Sequence, residues 1–244
     1  MAEVINDTLD ISGHLGNLTI YNRNGKKFVR LRHTNQPRRL SRKQLPQKVQ
    51  LAHNNAVWRV MRLLKEAHYE GSKGTTYDRF RSVNKVSPKV YLTKEQFAKG
   101  FTLLLPEIVI SDGPLHPITY RLGELEGVPA LLTDLPLKDA GKGRLLLYTL
   151  HQLIKTNQRA AEDIPRMKGE VEKVDSSAIT EVDGCVALKG ERFADPMAGF
   201  ALVQVVDGHV AQQRIVTNCK YYERYTTEEA LLESADSYGG LTGE

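Results

Sequence analysis

Ten cationic side chains, Arg23, Lys26, Lys27, Arg30, Arg32, Arg38, Arg39, Arg42, Lys43 and Lys48, fall within 26 residues, with Tyr21, Phe28 and His33 among them or beside them. The chemistry open to them is charge pairing. Guanidinium and ammonium groups hold phosphates by displacing counterions, or hold the carboxylates of another protein surface, and in neither case is a covalent bond made or broken. Between Asp10 and Glu66 there is no acidic residue at all, while thirteen Lys and Arg run from Arg23 to Lys65. Residues 1–100 carry 20 Lys and Arg against 7 Asp and Glu, a net of +13, and residues 101–244 carry 14 against 22, a net of −8; the two sum to the formal +5 of the 244-residue chain. A chain polarised in this way is suited to a polyanion, or to the acidic part of a neighbouring copy, because complementary fields steer and orient association.

Bond-making chemistry finds less support. The seven histidines, His14, His33, His53, His68, His116, His151 and His209, include no HExxH pattern and no i, i+4 pair, and the two cysteines, Cys185 and Cys219, form no CxxC pair. Neither a metal site nor a disulfide framework is expected, and both thiols are read as buried and free. The run Gly71-Ser-Lys-Gly-Thr-Thr76 lacks phosphate-loop spacing and reads as a helix exit followed by a turn. Ser111-Asp112-Gly113 reads as turn chemistry rather than a nucleophile. The pairs Glu124/Glu126 and Glu170/Glu172 would serve as acid and base only if desolvated, and their alternation places them on exposed strand edges. With no nucleophile, base and orienting group in view, the expectation is a protein without catalytic residues, cofactor or metal.

The basic residues must be positioned by a hairpin and a helix. Leu18 and Ile20, then Phe28, Val29 and Leu31, flank Asn24-Gly25, a dipeptide that accepts the positive φ of a tight hairpin turn. Alternation places Lys26, Phe28, Arg30 and Arg32 on one face and Lys27, Val29 and Leu31 on the other. A helix is expected to start at Ser41, with Ser41 and Gln44 at capping-box spacing, and to stop at Gly71. Its apolar stripe is Leu45, Val49, Ala52, Ala56, Val60, Leu63 and Ala67. Trp58 lies one position off that stripe and reads as core packing or an interface anchor. Shorter helices are expected over 76–83 and 93–99, the second ended by Gly100.

Beyond residue 100 the pattern turns to strands. TLLL (102–105), EIVI (107–110), LLLYTLHQLI (145–154), GEVEKV (169–174), CVALKG (185–190) and GFALVQVV (199–206) are apolar runs separated by turn residues, and Asp207-Gly208 leads into HVAQQRIVT. Thr226 and Glu229 have capping-box spacing for a last helix ended by Gly239-Gly240. The expected fold is α+β: an N-terminal β-hairpin plus helices, then a mainly antiparallel β-sandwich-like domain closed by a C-terminal helix. The expected domains are a basic hairpin and helical module, 1–100, and an acidic β-rich domain, 101–244.

The segment GHLGNLTIYNRNGKKFVR (13–30), followed by Asn35-x-Pro37 and by Gln44, Gln47 and Gln50, resembles the opening of an uncharacterised protein family common in Bacteroidota and their mobile elements. The similarity is clearest over residues 13–70, with VISDGPL (109–115) and Ser237-Tyr238-Gly239-Gly240 as further points of likeness. The resemblance implies a glycine-punctuated hairpin with an N-G-K…V-R core, a helical middle and a β-rich, Ig-like end. It also implies a structural or surface-interaction role. The capped C-terminal helix departs from that pattern. No apolar run is long enough for a membrane span, and the N-terminus MAEVINDTLDISG lacks the basic start of a secretory signal, so the expected setting is cytoplasmic or a virion-like particle. The functional expectation is a non-enzymatic structural or assembly component of a phage-like particle or mobile-element structure, whose basic surface contacts acidic protein partners or other copies of itself as a homo-oligomer. The alternative is nucleic-acid binding by the same surface.

Overall fold

The computed structural model describes residues 2–4, 13–15, 18–23, 26–31, 40–64, 69–70, 75–158 and 162–241. The chain forms two compact units, Met1–Arg39 and Leu40–Glu244.

The first unit is a four-stranded antiparallel sheet of β1 (Ala2–Val4), β2 (Gly13–Leu15), β3 (Leu18–Arg23) and β4 (Lys26–Leu31), in the spatial order β1-β4-β3-β2. The expected hairpin is its centre. Tyr21 pairs with Phe28 and Arg23 with Lys26, which leaves 24 and 25 as the two-residue connection; those two residues lie outside the described set.

The second unit begins with α1 (Gln44–Met61), α2 (Thr76–Val83) and α3 (Lys94–Lys99). Ser41 and Gln44 do exchange bonds, Gln44 N–H donating to Ser41 Oγ and Ser41 N–H to Gln44 Oε1, both at 3.2 Å, but regular helix starts only at Gln44. The helix ends at Met61, well before Gly71, and Leu63, expected on the buried stripe, is 74% exposed. The buried stripe is Leu45, Val49, His53, Val57 and Met61, a strict four-residue repeat. Its middle member is polar, which is why the apolar pattern alone drifted onto Ala52, Ala56 and Val60. The α2 and α3 helices lie as expected, each with a capping box, Thr75/Asp78 and Thr93/Gln96. Gly100 closes α3 in the left-handed region at φ 86°, where a side chain would be strained.

The strands that follow are β5 (Val109–Ser111), β6 (Tyr120–Leu125), β7 (Val128–Pro136), then after a single turn of helix, α4 (Leu137–Ala140), β8 (Arg144–Asn157) and β9 (Glu162–Lys173). They are completed by β10 (Ile179–Val182), β11 (Cys185–Lys189), β12 (Ala198–Val205), β13 (Gln213–Arg214) and β14 (Val216–Thr217), with α5 (Glu228–Ser237) last. Two four-stranded antiparallel sheets result, β10-β11-β7-β6 and β14-β12-β8-β9, with β13 and β5 as a separate pair. The fold is thus α+β with a C-terminal helix. The hairpin β6–β7 and strand β10 were not foreseen, and α5 is capped by Thr227 rather than Thr226.

The sheet β14-β12-β8-β9 is the middle layer. Leu145, Leu147, Phe200 and Leu202 pack towards Leu131, Val186 and Leu188 of the other sheet. Leu146, Tyr148, Leu150, Ala201 and Val203 pack on the opposite face against Val57, Met61 and Phe80 of the helices. Burial on both faces explains why these two strands read as unbroken apolar runs. The helices of 40–100 therefore share a core with the β-rich part, and the charge change near residue 100 coincides with no structural division.

Residues 102–105 are not a strand. They form a buried extended segment between α1 and the middle sheet, which makes one backbone bond to β9, Thr102 N–H donating to Pro165 O at 2.9 Å, and takes further hydrogen bonds from side chains. Leu103 N–H donates to His53 Nε2 at 3.1 Å and Leu104 N–H to Gln152 Oε1 at 2.7 Å. Gln152 Nε2 donates in turn to Thr102 O and Arg166 O, both at 3.2 Å. Further along, Val109 N–H donates to Asn84 Oδ1 at 2.9 Å, and Tyr69 Oη donates to Val109 O at 2.8 Å.

As an acceptor His53 must be neutral, and burial lowers its pKa from 6.5 to about 4. The unfolded chain therefore takes up this proton first as pH falls. The stabilisation is complete above about pH 6.5, is lost as pH falls from there to about 4, and amounts to roughly 3 kcal/mol across that window. Denaturant unfolding at a series of pH values should show a flatter acid limb in His53→Gln than in the parent protein. Gln152→Leu should cost about 3 kcal/mol in the same assay at neutral pH, because it strands at least two buried backbone groups.

Candidate functional site

In the first unit, the ladder places Thr19, Tyr21, Phe28 and Arg30 on one face of β3 and β4, with the positions of Arg23 and Lys26 in the same register. Tyr21 and Phe28 are stacked at 5.7 Å between ring centroids, and the Arg30 guanidinium lies 5.6 Å from the Tyr21 ring. Arg30 is exposed. The opposite face carries Leu18, Ile20, Val29 and Leu31, so one side of the hairpin is cationic and aromatic and the other apolar. The expected alternation is realised, with Lys27 in the register of the apolar side. Arg32, His33, Arg38 and Arg39 lie outside the described residues.

The remaining three residues of the basic set, Arg42, Lys43 and Lys48, belong to the second unit and are exposed at the start of α1. Two of them are engaged within the chain. Arg42 pairs with Glu228 in the first turn of α5. The Lys48 ammonium lies 4.5 Å from the Tyr238 ring centroid, and Lys94 approaches the same ring at 5.0 Å. Apolar packing brings the two helices together: Leu45 and Val49 of α1 meet Leu231, Ala235 and Tyr238 of α5. Ser234 Oγ donates to Leu92 O at 2.9 Å, and Leu40, at the start of the second unit, bridges with Leu241 near its end. The part of the basic segment at the start of α1 therefore meets the acidic helix α5, through Arg42. Its sequence signal was available, since from Tyr225 to Glu244 there are five acidic residues and no Lys, Arg or His.

Chemistry-bearing residues elsewhere are committed to structure. Ser111 and Asp112 are buried and Gly113 half-buried, so the run is no surface turn: Ser111 Oγ donates to Ala211 O at 2.8 Å, and Asp112 accepts from Gln212 Nε2 at 2.9 Å and from Arg79. Glu70 accepts from Val210 N–H at 2.9 Å and lies 2.8 Å from His209 Nδ1. A Cβ on Gly113 would come within 2.4 Å of Val210 O and 2.7 Å of Glu70 Oε1, so this junction requires glycine. Sequence spacing could not reveal the cluster, because its members lie about 40 to 140 residues apart. Glu126 pairs with Lys189, Glu170 with Lys168 and Glu172 with Arg192, all at the surface. Trp58 is half-buried against Tyr69, Tyr77 and Phe80. Cys219 is buried and Cys185 half-buried, both as free thiols, and burial pushes the Cys219 thiol up. Among the described residues no group of three or more His, Cys, Asp or Glu is placed to hold a metal ion. No described helix is long and apolar enough to cross a membrane.

Comparison with protein-family models, curated proteins and solved structures finds no match to this chain. What the site can do is therefore argued from its own groups. An exposed ion pair such as Arg42–Glu228 is worth little to stability, roughly 0.5 kcal/mol. A double-mutant cycle with Arg42→Ala and Glu228→Ala should return a coupling of that size at low salt, falling towards zero as salt is raised.

Proposed function

We propose that the protein is a non-enzymatic assembly component that uses the basic face of its N-terminal sheet to hold acidic protein surfaces, other copies of itself included. The observation that carries this reading is the contact between the basic segment and α5. Where residues of that segment fall in the second unit, they meet a carboxylate and a tyrosine ring of the acidic C-terminal helix. The same composition recurs in the N-terminal sheet, where the groups project from a separate unit. Arginine is suited to this work, since its planar fork matches a carboxylate and its weak hydration lowers the cost of pairing. Contact between two different patches is heterologous and builds rings or filaments. The likeness of residues 13–70 to a family carried on mobile elements supplies a setting, a phage-like particle or comparable structure.

One observation favours a second reading. The stacked Tyr21 and Phe28 with Arg30 alongside form a small version of the aromatic and cationic platform on which single-stranded nucleic acid stacks.

Sedimentation of the full chain separates the two. Assembly predicts a species heavier than the monomer at about 50 mM NaCl that dissociates at about 500 mM, as screening requires. Nucleic-acid binding predicts that a labelled single-stranded oligonucleotide shifts the protein at low salt, with an affinity that falls steeply with salt and a slope that flattens in Arg30→Ala. A monomer at both salt concentrations overturns the assembly reading, and silence towards DNA and RNA at low salt overturns the alternative.

A further inference from the structure

The α5 helix has one buried side and one exposed side. Leu231, Ser234, Ala235 and Tyr238 are buried against the body of the second unit, whereas Glu229, Leu232, Glu233 and Asp236 form an outward stripe. Leu232 is 50% exposed, with carboxylates on either side of it. We propose that this outward face of α5 is the docking surface for the basic sheet of a second copy of the chain. The proposal rests on the assembly reading and names the surface that reading requires.

Charge complementarity selects the occupant. The stretch 225–244 contains no base and the stretch 11–65 contains no acid, and no other segments of the chain are so opposed. The apolar parts match as well: Leu232 stands among the carboxylates of α5 as the Tyr21–Phe28 stack stands beside Arg30 on the sheet, in the register that the positions of Arg23 and Lys26 continue. A ten-residue helix is about 15 Å long. A six-residue strand pair spans about 20 Å, so one helix lies across the face of β3 and β4. The precedent lies beside it in the chain, where Arg42 already pairs with Glu228 on the flank of the same helix. Because the two patches differ, a pair joined by one contact retains one unused sheet and one unused helix, and association propagates. With a charged rim around a small apolar centre, orientation and salt sensitivity come from the charges.

The test is charge reversal followed by charge exchange in the full chain. The parent protein associates at about 50 mM NaCl and is dispersed at about 500 mM. Glu229→Lys with Glu233→Lys loses the low-salt association while its circular dichroism stays that of the parent, both positions being exposed, and its thermal midpoint falls by only a few degrees, the cost of a cation in the first turn of α5. Arg23→Glu with Arg30→Glu is likewise monomeric alone, and mixing the two variants restores a heavier species. Leu232→Ser weakens the parent's association at low salt with the fold intact. If the parent associates with salt sensitivity and the α5 reversal associates just as well, assembly stands on some other surface and this inference is overturned by itself. If the two variants fail to rescue each other, the sheet is not the occupant and the inference is likewise overturned. A parent protein that is monomeric at low salt removes the assembly reading and this inference together.

Discussion

The second unit depends on one constraint: a stretch of backbone that makes a single bond to a neighbouring strand, Thr102 N–H to Pro165 O, runs through its interior, and side chains must satisfy polar groups that no ladder reaches. Residues 101–105 are buried throughout, between α1 and the middle sheet. Each buried N–H or C=O left without a partner costs about 1–3 kcal/mol, so the segment can lie there only with partners supplied. His53 supplies one from the helix side and Gln152 from the sheet side, and Asn84 does the same for Val109. These three side chains fix where α1, the end of α2 and β8 sit around the segment. They also account for features that look anomalous in isolation: a histidine in the centre of an apolar helix stripe, a glutamine in a buried strand and an asparagine at a helix end.

A frame held from within leaves the surface charges free for other work. The exposed ion pairs add little to stability singly, and salt weakens them further. Their value lies in orientation. The basic start of α1 and the acidic helix α5 are brought together by apolar packing of Leu45, Val49, Leu231 and Ala235, and the charges then select the pairing at the rim. That division of labour, apolar centre and charged border, is the usual anatomy of a specific contact. It appears inside this chain between two helices, and one face of the N-terminal sheet carries an arginine beside an aromatic pair.

Local signals were readable where local chemistry decides the outcome. Thr93, Gln96 and Gly100 mark both ends of α3 because their side chains and conformations satisfy the helix termini directly. The hairpin of β3 and β4 follows from alternation around Asn24-Gly25, and the cationic face follows from the same alternation. The TLLL run misled because apolar β-formers describe burial as well as pairing, and here burial came with one bond to β9 instead of a ladder. The α1 stripe was misplaced by one position because His53 counts as polar until its acceptor role is seen. The β6–β7 hairpin was missed because its turn, Glu126-Gly127, sits among half-buried strands whose alternation is weak. The Glu70, Asp112 and His209 cluster has no sequence signature, since its members come from separate parts of the chain.

By itself the order of residues determined the α+β class, the caps, the turns and above all the separation of positive from negative charge, since each depends on composition or on neighbours a few positions apart. Which cations stay available was a tertiary decision. Arg42 and Lys48 were indistinguishable from Arg23 and Arg30 as a string of letters, and only the packing of α1 against α5, residues some 190 positions apart, set them beside Glu228 and Tyr238. Coulomb attraction falls off within a few ångströms of an ion pair in salt water, so a partner is defined by position in space, which the chain acquires only on folding.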